Sequence, residues 1–405
     1  VTKNGTGTQT LLGLSTYTGV TRINSGILSV DVLTNGGVAS GIGQSGSAAG
    51  NLVFGNNGTL AYTGVNRLAT ADLRVGFSQT TLTNRLFTLA GTGTATIASN
   101  VGTSNALVWT NTGAIAHSGA APRTINLAGG STGDNAFFPQ ITDSGVGSDI
   151  TSVRKEGTGI WWLTGTNSTY TGPTTVADGQ LGFLGALPAN SPLQVGVTGA
   201  TGTLLMSGTL SRTVAAAPVN GQPTITLGGA TTGAAGFAAS GERLVVAFEQ
   251  SGSLQPLVWG TNGFLGTSGT LAFGSATGFG VVDFQNPIDL NGGARTVTVN
   301  DNTLAGMDFA RMTGVISGSG GATGLVKNGS GWLSLAANNT YSGSTSITGG
   351  GIVVRSLGNS TTGSASASVG AFTAGDAGAI RLAGGHLQYV GDGEVSDRRI
   401  IVASS

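Results

Sequence analysis

The chain has 405 residues, of which 73 are glycine, more than twice the average usage of about 7%. Charged residues make up only 8%, 17 basic against 17 acidic, which leaves no basic stripe to grip nucleic acid. A 39% hydrophobic content sets the chain apart from charged, disordered sequences, and the absence of cysteine excludes disulfides, thiolate-held zinc and thiol catalysis together.

Glycine, threonine, serine, asparagine and valine dominate, and each is disfavoured in a helix for its own reason. Strands bounded by Gly, Asn and Asp turns are therefore predicted nearly throughout. The first segment runs Lys3-Asn4-Gly5-Thr6-Gly7, then Tyr17-Thr18-Gly19, Ile23, Gly26 and Leu28. Val1 falls inside this pattern, so the chain is expected to be a mature or partial product without a signal peptide. Weaker strand-like segments follow at Gly58–Tyr62, Leu107-Val108-Trp109 and Arg123–Leu127. The first pattern then returns as Lys155-Glu156-Gly157-Thr158-Gly159, Tyr170-Thr171-Gly172, Val176, Gly179 and Leu181. Leu257-Val258-Trp259 and Arg295–Val299 echo the earlier weaker segments. A third copy reads Lys327-Asn328-Gly329-Ser330-Gly331, Tyr341-Ser342-Gly343, Ile347, Gly350 and Ile352. Gly385–Tyr389 echoes Gly58–Tyr62, and Ile400-Ile401-Val402 is a last apolar strand. No apolar run approaches the ~18 residues of a membrane-spanning helix.

In all three copies the β-branched residue follows the tyrosine by six positions, the glycine by nine and the next apolar residue by eleven. Such self-similarity is the signature of a stacked repeat, because one short strand cannot bury an apolar face alone whereas stacked copies can. The chain is read as one continuous all-β parallel solenoid over 1–405, with modules 1–152, 153–324 and 325–405, the last incomplete. Coils of roughly 20–25 residues are expected. Tyr17, Tyr170 and Tyr341, with Ile23, Val176 and Ile347, are expected to form ladders along the stack. Gly19, Gly172, Gly343, Gly26, Gly179 and Gly350 are expected at its corners.

Lys-x-Gly-x-Gly, followed by Asn-x-x-Tyr-[Ser/Thr]-Gly and a Gly-x-[Leu/Ile] strand, resembles the autotransporter-associated β-strand repeat of large bacterial surface proteins. Lys155 to Leu184 and Lys327 to Val354 carry the best copies. Lys3 to Val30 departs by having Leu14 where the others have Asn167 and Asn338. The resemblance implies a right-handed β-helix, type V secretion and a place at the cell surface. The alternating strands of an autotransporter's membrane barrel are not evident in this sequence, so fibre formation and release stand beside tethering.

Few residues offer chemistry. His117 and His386 are the only histidines, and neither sits in a ligand-like or triad-like pattern. A glycosidase needs two carboxylates about 5–10 Å apart, yet the acids are scattered, many in turn-like contexts. Asp301 with Asp308, and Asp392 with Glu394 and Asp397, come closest. Turn and solvent roles fit them best; calcium ligation in a loop is the one cofactor alternative to none. Gly41-Ile42-Gly43-Gln44-Ser45-Gly46 fits a dinucleotide fingerprint, but no helix follows and glycine is too common for it to count. Trp161-Trp162 and Trp332 lie in equivalent repeat segments. Adjacent strand residues face opposite ways, so one of Trp161 and Trp162 should point outward as a candidate ligand contact.

The resulting reading is a non-enzymatic extracellular structural protein, a stalk or self-associating fibre for surface display, adhesion or biofilm matrix. The alternative is a carbohydrate-binding adhesin or polysaccharide-active enzyme on the same scaffold. Expected partners are other copies or neighbouring solenoids and a glycan or host-surface ligand, with no nucleic acid and no membrane span.

Overall fold

A computed structural model describes residues 1–64, 80–102, 105–145, 149–185, 187–306, 308–321, 323–359, 366–371 and 377–403. Among them there is no α-helix; short parallel strands dominate, with a single-turn 3-10 helix at Ala49–Asn51. The chain forms two compact units, Val1–Leu193 with Val219–Pro223, and Gln194–Pro218 with Thr224–Ser405.

In the first unit, Thr21–Val30, Leu52–Tyr62, Gly93–Ser99, Arg123–Ala128, Thr151–Lys155 and Thr174–Val176 pair in parallel, each with the next. Their register sets Leu28, Leu60, Ile97, Leu127, Lys155 and Val176 in one buried column. A second face stacks Thr80–Thr83, Ala106–Trp109, Asn135–Phe137, Ile160–Leu163 and Gly179–Phe183, aligning Trp109, Phe137, Leu163 and Phe183. Phe54, Phe87 and Trp109 meet edge to face across the interior, with centroids 5.2 and 5.7 Å apart. Each such pair contributes about 0.5–1.5 kcal/mol beyond its buried area.

The second unit repeats the scheme. Ala234–Val246 pairs with Thr270–Phe273 through its first half and with Val281–Phe284 through its second, so one strand serves two faces. One face continues through Ala294–Val299, Gly324–Asn328, Thr345–Ile347 and Ile380–Leu382, with Leu271, Val297, Lys327, Ile347 and Leu382 in line. The other continues through Ala310–Met312, Trp332–Leu335, Gly351–Val354 and His386–Tyr389, aligning Phe284, Met312, Leu335 and Val354. These are the stacked ladders of a parallel β-helix, not a closed barrel. Successive parallel strands lie about 4.8 Å apart, and every added coil satisfies the backbone edge of the one before it.

Buried asparagines reinforce the turns. Asn339 accepts from the Ile316 amide (2.8 Å) and donates to the Ser368 carbonyl (2.6 Å); Asn286 exchanges both bonds with Phe248. Coil length varies beyond the roughly 20–25 residues expected. The turn from Lys3 to Ile23 is short, whereas that from Leu60 to Ile97 is nearly twice as long. Only the strands must match in register, so the connecting loops are free to vary.

Candidate functional site

The repeat lysines lie inside the stack. Lys155 is in register with Leu127 and Val176, and Lys327 with Val297 and Ile347; Lys3 pairs with Ile23. All three are buried. Among the described residues no carboxylate forms an ion pair with their ammonium groups. Lys155 Nζ donates to the carbonyls of Glu156 (2.8 Å) and Gly157 (2.5 Å) in its own turn, and of Asp178 (3.1 Å) on the next coil. Lys3 does the same with Asn4, Gly5 and Ser25, and Lys327 with Gly329 and Gly349. Each lysine thus clasps two coils through backbone dipoles. Burial pushes the Lys155 and Lys327 ammonium groups down to about 8.

The corner glycines belong to the same clasp. Gly26, Gly179 and Gly350 have φ of 68°, 66° and 56°. A Cβ on Gly179 would stand 2.4 Å from the Gly157 carbonyl oxygen and 2.8 Å from Lys155 Nζ. Gly172 and Gly343 serve differently: a Cβ there would press into the carbonyls of Thr151 and Thr323 on a neighbouring coil. Around Gly19 there is open space.

Ile23, Val176 and Ile347 stand in the columns, but the tyrosines form no ladder with one another. They lie outside the strands, in copies separated by many coils. Each instead bonds a threonine four residues on, at 2.7 Å: Tyr17 to Thr21, Tyr170 to Thr174, Tyr341 to Thr345. Thr21 donates onward to the Ile42 carbonyl and Thr345 to that of Val369, so the tyrosine hydroxyl must be the donor to each. Burial raises the Tyr170 counterpart Tyr341 above its ordinary range. The recurring threonine is visible in all three copies, and its spacing from the tyrosine is the signal that would have revealed this relay.

The structure divides the tryptophan pair. Trp161 is in the core, donating Nε1 to the Ala128 carbonyl (3.0 Å). Trp162 faces outward across Gly182, and its Nε1 is held by Asp134 (3.1 Å). Trp332 aligns by register with Ile160, not Trp161, since both open the strand that pairs with the next motif glycine segment. It points outward, 38% exposed, with its ring nearly parallel to the exposed His386 imidazole. Trp109 and Trp259 are core residues. His117 is half-buried and held below its usual range, first by burial and then by Arg123.

The acids are tied into the architecture. Asp283 pairs with both Arg243 and Arg311 and is held below the usual carboxylate range by them, against its burial. Asp143 accepts from the Thr151 amide and the Thr171 hydroxyl, and Glu394 from the amides of Leu357 and Gly358. Among the described residues, no three of His, Cys, Asp and Glu come together to hold a metal ion. Buried arginines also rely on carbonyls: Arg85 donates to those of Thr34, Asn35, Val38, Gly43 and Ser45.

Parallel coils clasped at each motif copy by a lysine define a repeat-built parallel β-solenoid. Residues 1–30, 153–182 and 325–354 match the passenger-associated-transport-repeat. Over 156 residues the chain is 46% identical to the Adhesin BmaC autotransporter of Brucella suis biovar 1 (strain 1330), spanning 38% of this chain and 4% of that protein. No solved structure matches the chain. The repeats and this relative support display outside the cell, at the outer surface. Among the described residues no helix is long and apolar enough to cross a membrane.

Proposed function

We propose that this chain is a non-enzymatic stretch of a surface-displayed adhesin passenger. It is a solenoid that extends and presents an adhesive surface, and associates with neighbouring copies in aggregates or matrix. The observation that carries this reading is the clasped column. The positions repeated in all three motif copies (lysine, tyrosine and corner glycine) are spent on holding the coils together. The pairing of Asp283 with two arginines also supports a structural use of carboxylates over the acid and base of a glycosidase. Low charge of balanced sign favours contact between like surfaces.

The test is display of the full chain on a non-adherent bacterium through an unrelated membrane anchor. Adherence to abiotic surfaces or host matrix, with clumping, is expected above the anchor alone. Cells that neither adhere nor clump, or release of sugar from polysaccharide substrates, would refute the proposal.

A further inference from the structure

We infer that an outer groove at Trp332 binds neutral, hydroxyl-rich sugar chains; this rests on the adhesive reading and gives it a ligand class. The strands Ala310–Met312, Trp332–Leu335, Gly351–Val354 and His386–Tyr389 alternate inward and outward residues. Their outward rows are Arg311, Ser334, Val353 and Gln388, and beside it Trp332, Gly351 and His386. The first row and Trp332 floor an open groove of about 500 Å³ that Asp301, Phe309 and Arg355 also line. A Cβ on Gly351 would strike the Trp332 ring at 2.3 Å, so only glycine lets the indole lean across that strand.

The groove combines aromatic surface with polar groups that no protein group occupies. Trp332 is 38% exposed and Phe309 36%. The Trp332 indole N–H and the side chains of Asp301, Ser334, Arg355 and Gln388 have no hydrogen-bond partner among the described residues. This differs from Trp162, whose N–H is occupied by Asp134. It differs too from Arg85, whose donors all meet protein oxygens. An aromatic face ringed by free donors and acceptors suits a ligand with apolar C–H faces and hydroxyl edges, which is a pyranose. Charge selects among sugars. Asp301 and Asp308 balance Arg311 and Arg355, and Arg311 is already paired with Asp283, so the groove offers no net attraction to a polyanion.

The purified full chain would be titrated by calorimetry with maltohexaose, cellohexaose and mannohexaose, and with polygalacturonate as the acidic comparison. At least one neutral hexaose should bind. Trp332→Ala should weaken that binding about tenfold or more, as loss of a central aromatic anchor does, and Gln388→Ala should weaken it less. Trp162→Ala should leave it unchanged. Unaltered circular dichroism of the variants keeps the comparison free of misfolding. Absence of binding to all three neutral hexaoses, binding indifferent to Trp332→Ala, or preference for polygalacturonate would each overturn the inference. Adhesion of displayed cells that persists without hexaose binding would overturn this groove's role while leaving the adhesive reading intact.

Discussion

Lys155 stands in an aliphatic column between Leu127 and Val176, where an ammonium group should be costly. It is tolerated because three carbonyls converge on it from two coils, replacing lost water. Nothing in the sequence marked this. Lysine repeats visibly in Lys-x-Gly-x-Gly, but lysine is almost never fully buried without a paired side chain, and here the partners are backbone atoms. Lys327→Met should keep the packed stem yet leave the Gly329 and Gly349 carbonyls without their donor, a loss of about 2 kcal/mol in urea unfolding. The pH dependence has a definite sign. The folded ammonium titrates near 8, below the value of about 10.4 for lysine in an unfolded chain. Across that window the unfolded state holds more protons, so stability should rise with pH. Unfolding at pH 8 and pH 10 should show that rise in the wild type and its loss in the Lys155→Met, Lys327→Met double variant. An equal rise in both would place its origin elsewhere.

Strands were readable wherever β-branched residues lay between glycine or asparagine turns, as at Gly351–Val354 and Ala294–Val299. What escaped was the exact facing of individual residues. Counted back from the tyrosine, Trp332 matches Trp161; counted forward from the lysine it matches Ile160, and the structure follows the lysine. A slip of one residue moves a side chain to the other face of a sheet, which is why an exposed groove went unseen at Trp332. The corners separate glycines that the sequence treats alike. Gly179→Ala would force a side chain into the left-handed region and against Gly157 and Lys155, and should cost about 2–4 kcal/mol. Gly19→Ala has room and should stay within about 0.5 kcal/mol of wild type. Thermal melts of both variants make the comparison, and similar losses would count against the clasp as the source of the difference.

At the scale of the molecule, repetition made the solenoid legible, because three matching segments without helix signals have few other ways to bury their apolar faces. Loop lengths and coil number were not legible, since only the strands are held in register. The surface is the remaining consequence of composition. Several cations are held inside by carbonyls, and over the whole chain 17 basic and 17 acidic residues cancel, with a sequence pI near 6.9. Close to neutral pH little repulsion therefore opposes contact between copies. Light scattering of the purified chain at fixed concentration should be greatest near pH 7 and fall toward pH 5 and pH 9 as net charge of either sign accumulates. Added salt should narrow that difference by screening the repulsion that separates copies away from neutrality. Scattering that is flat across this range would mean that charge balance does not govern association, and that copies meet, if they do, through a specific surface.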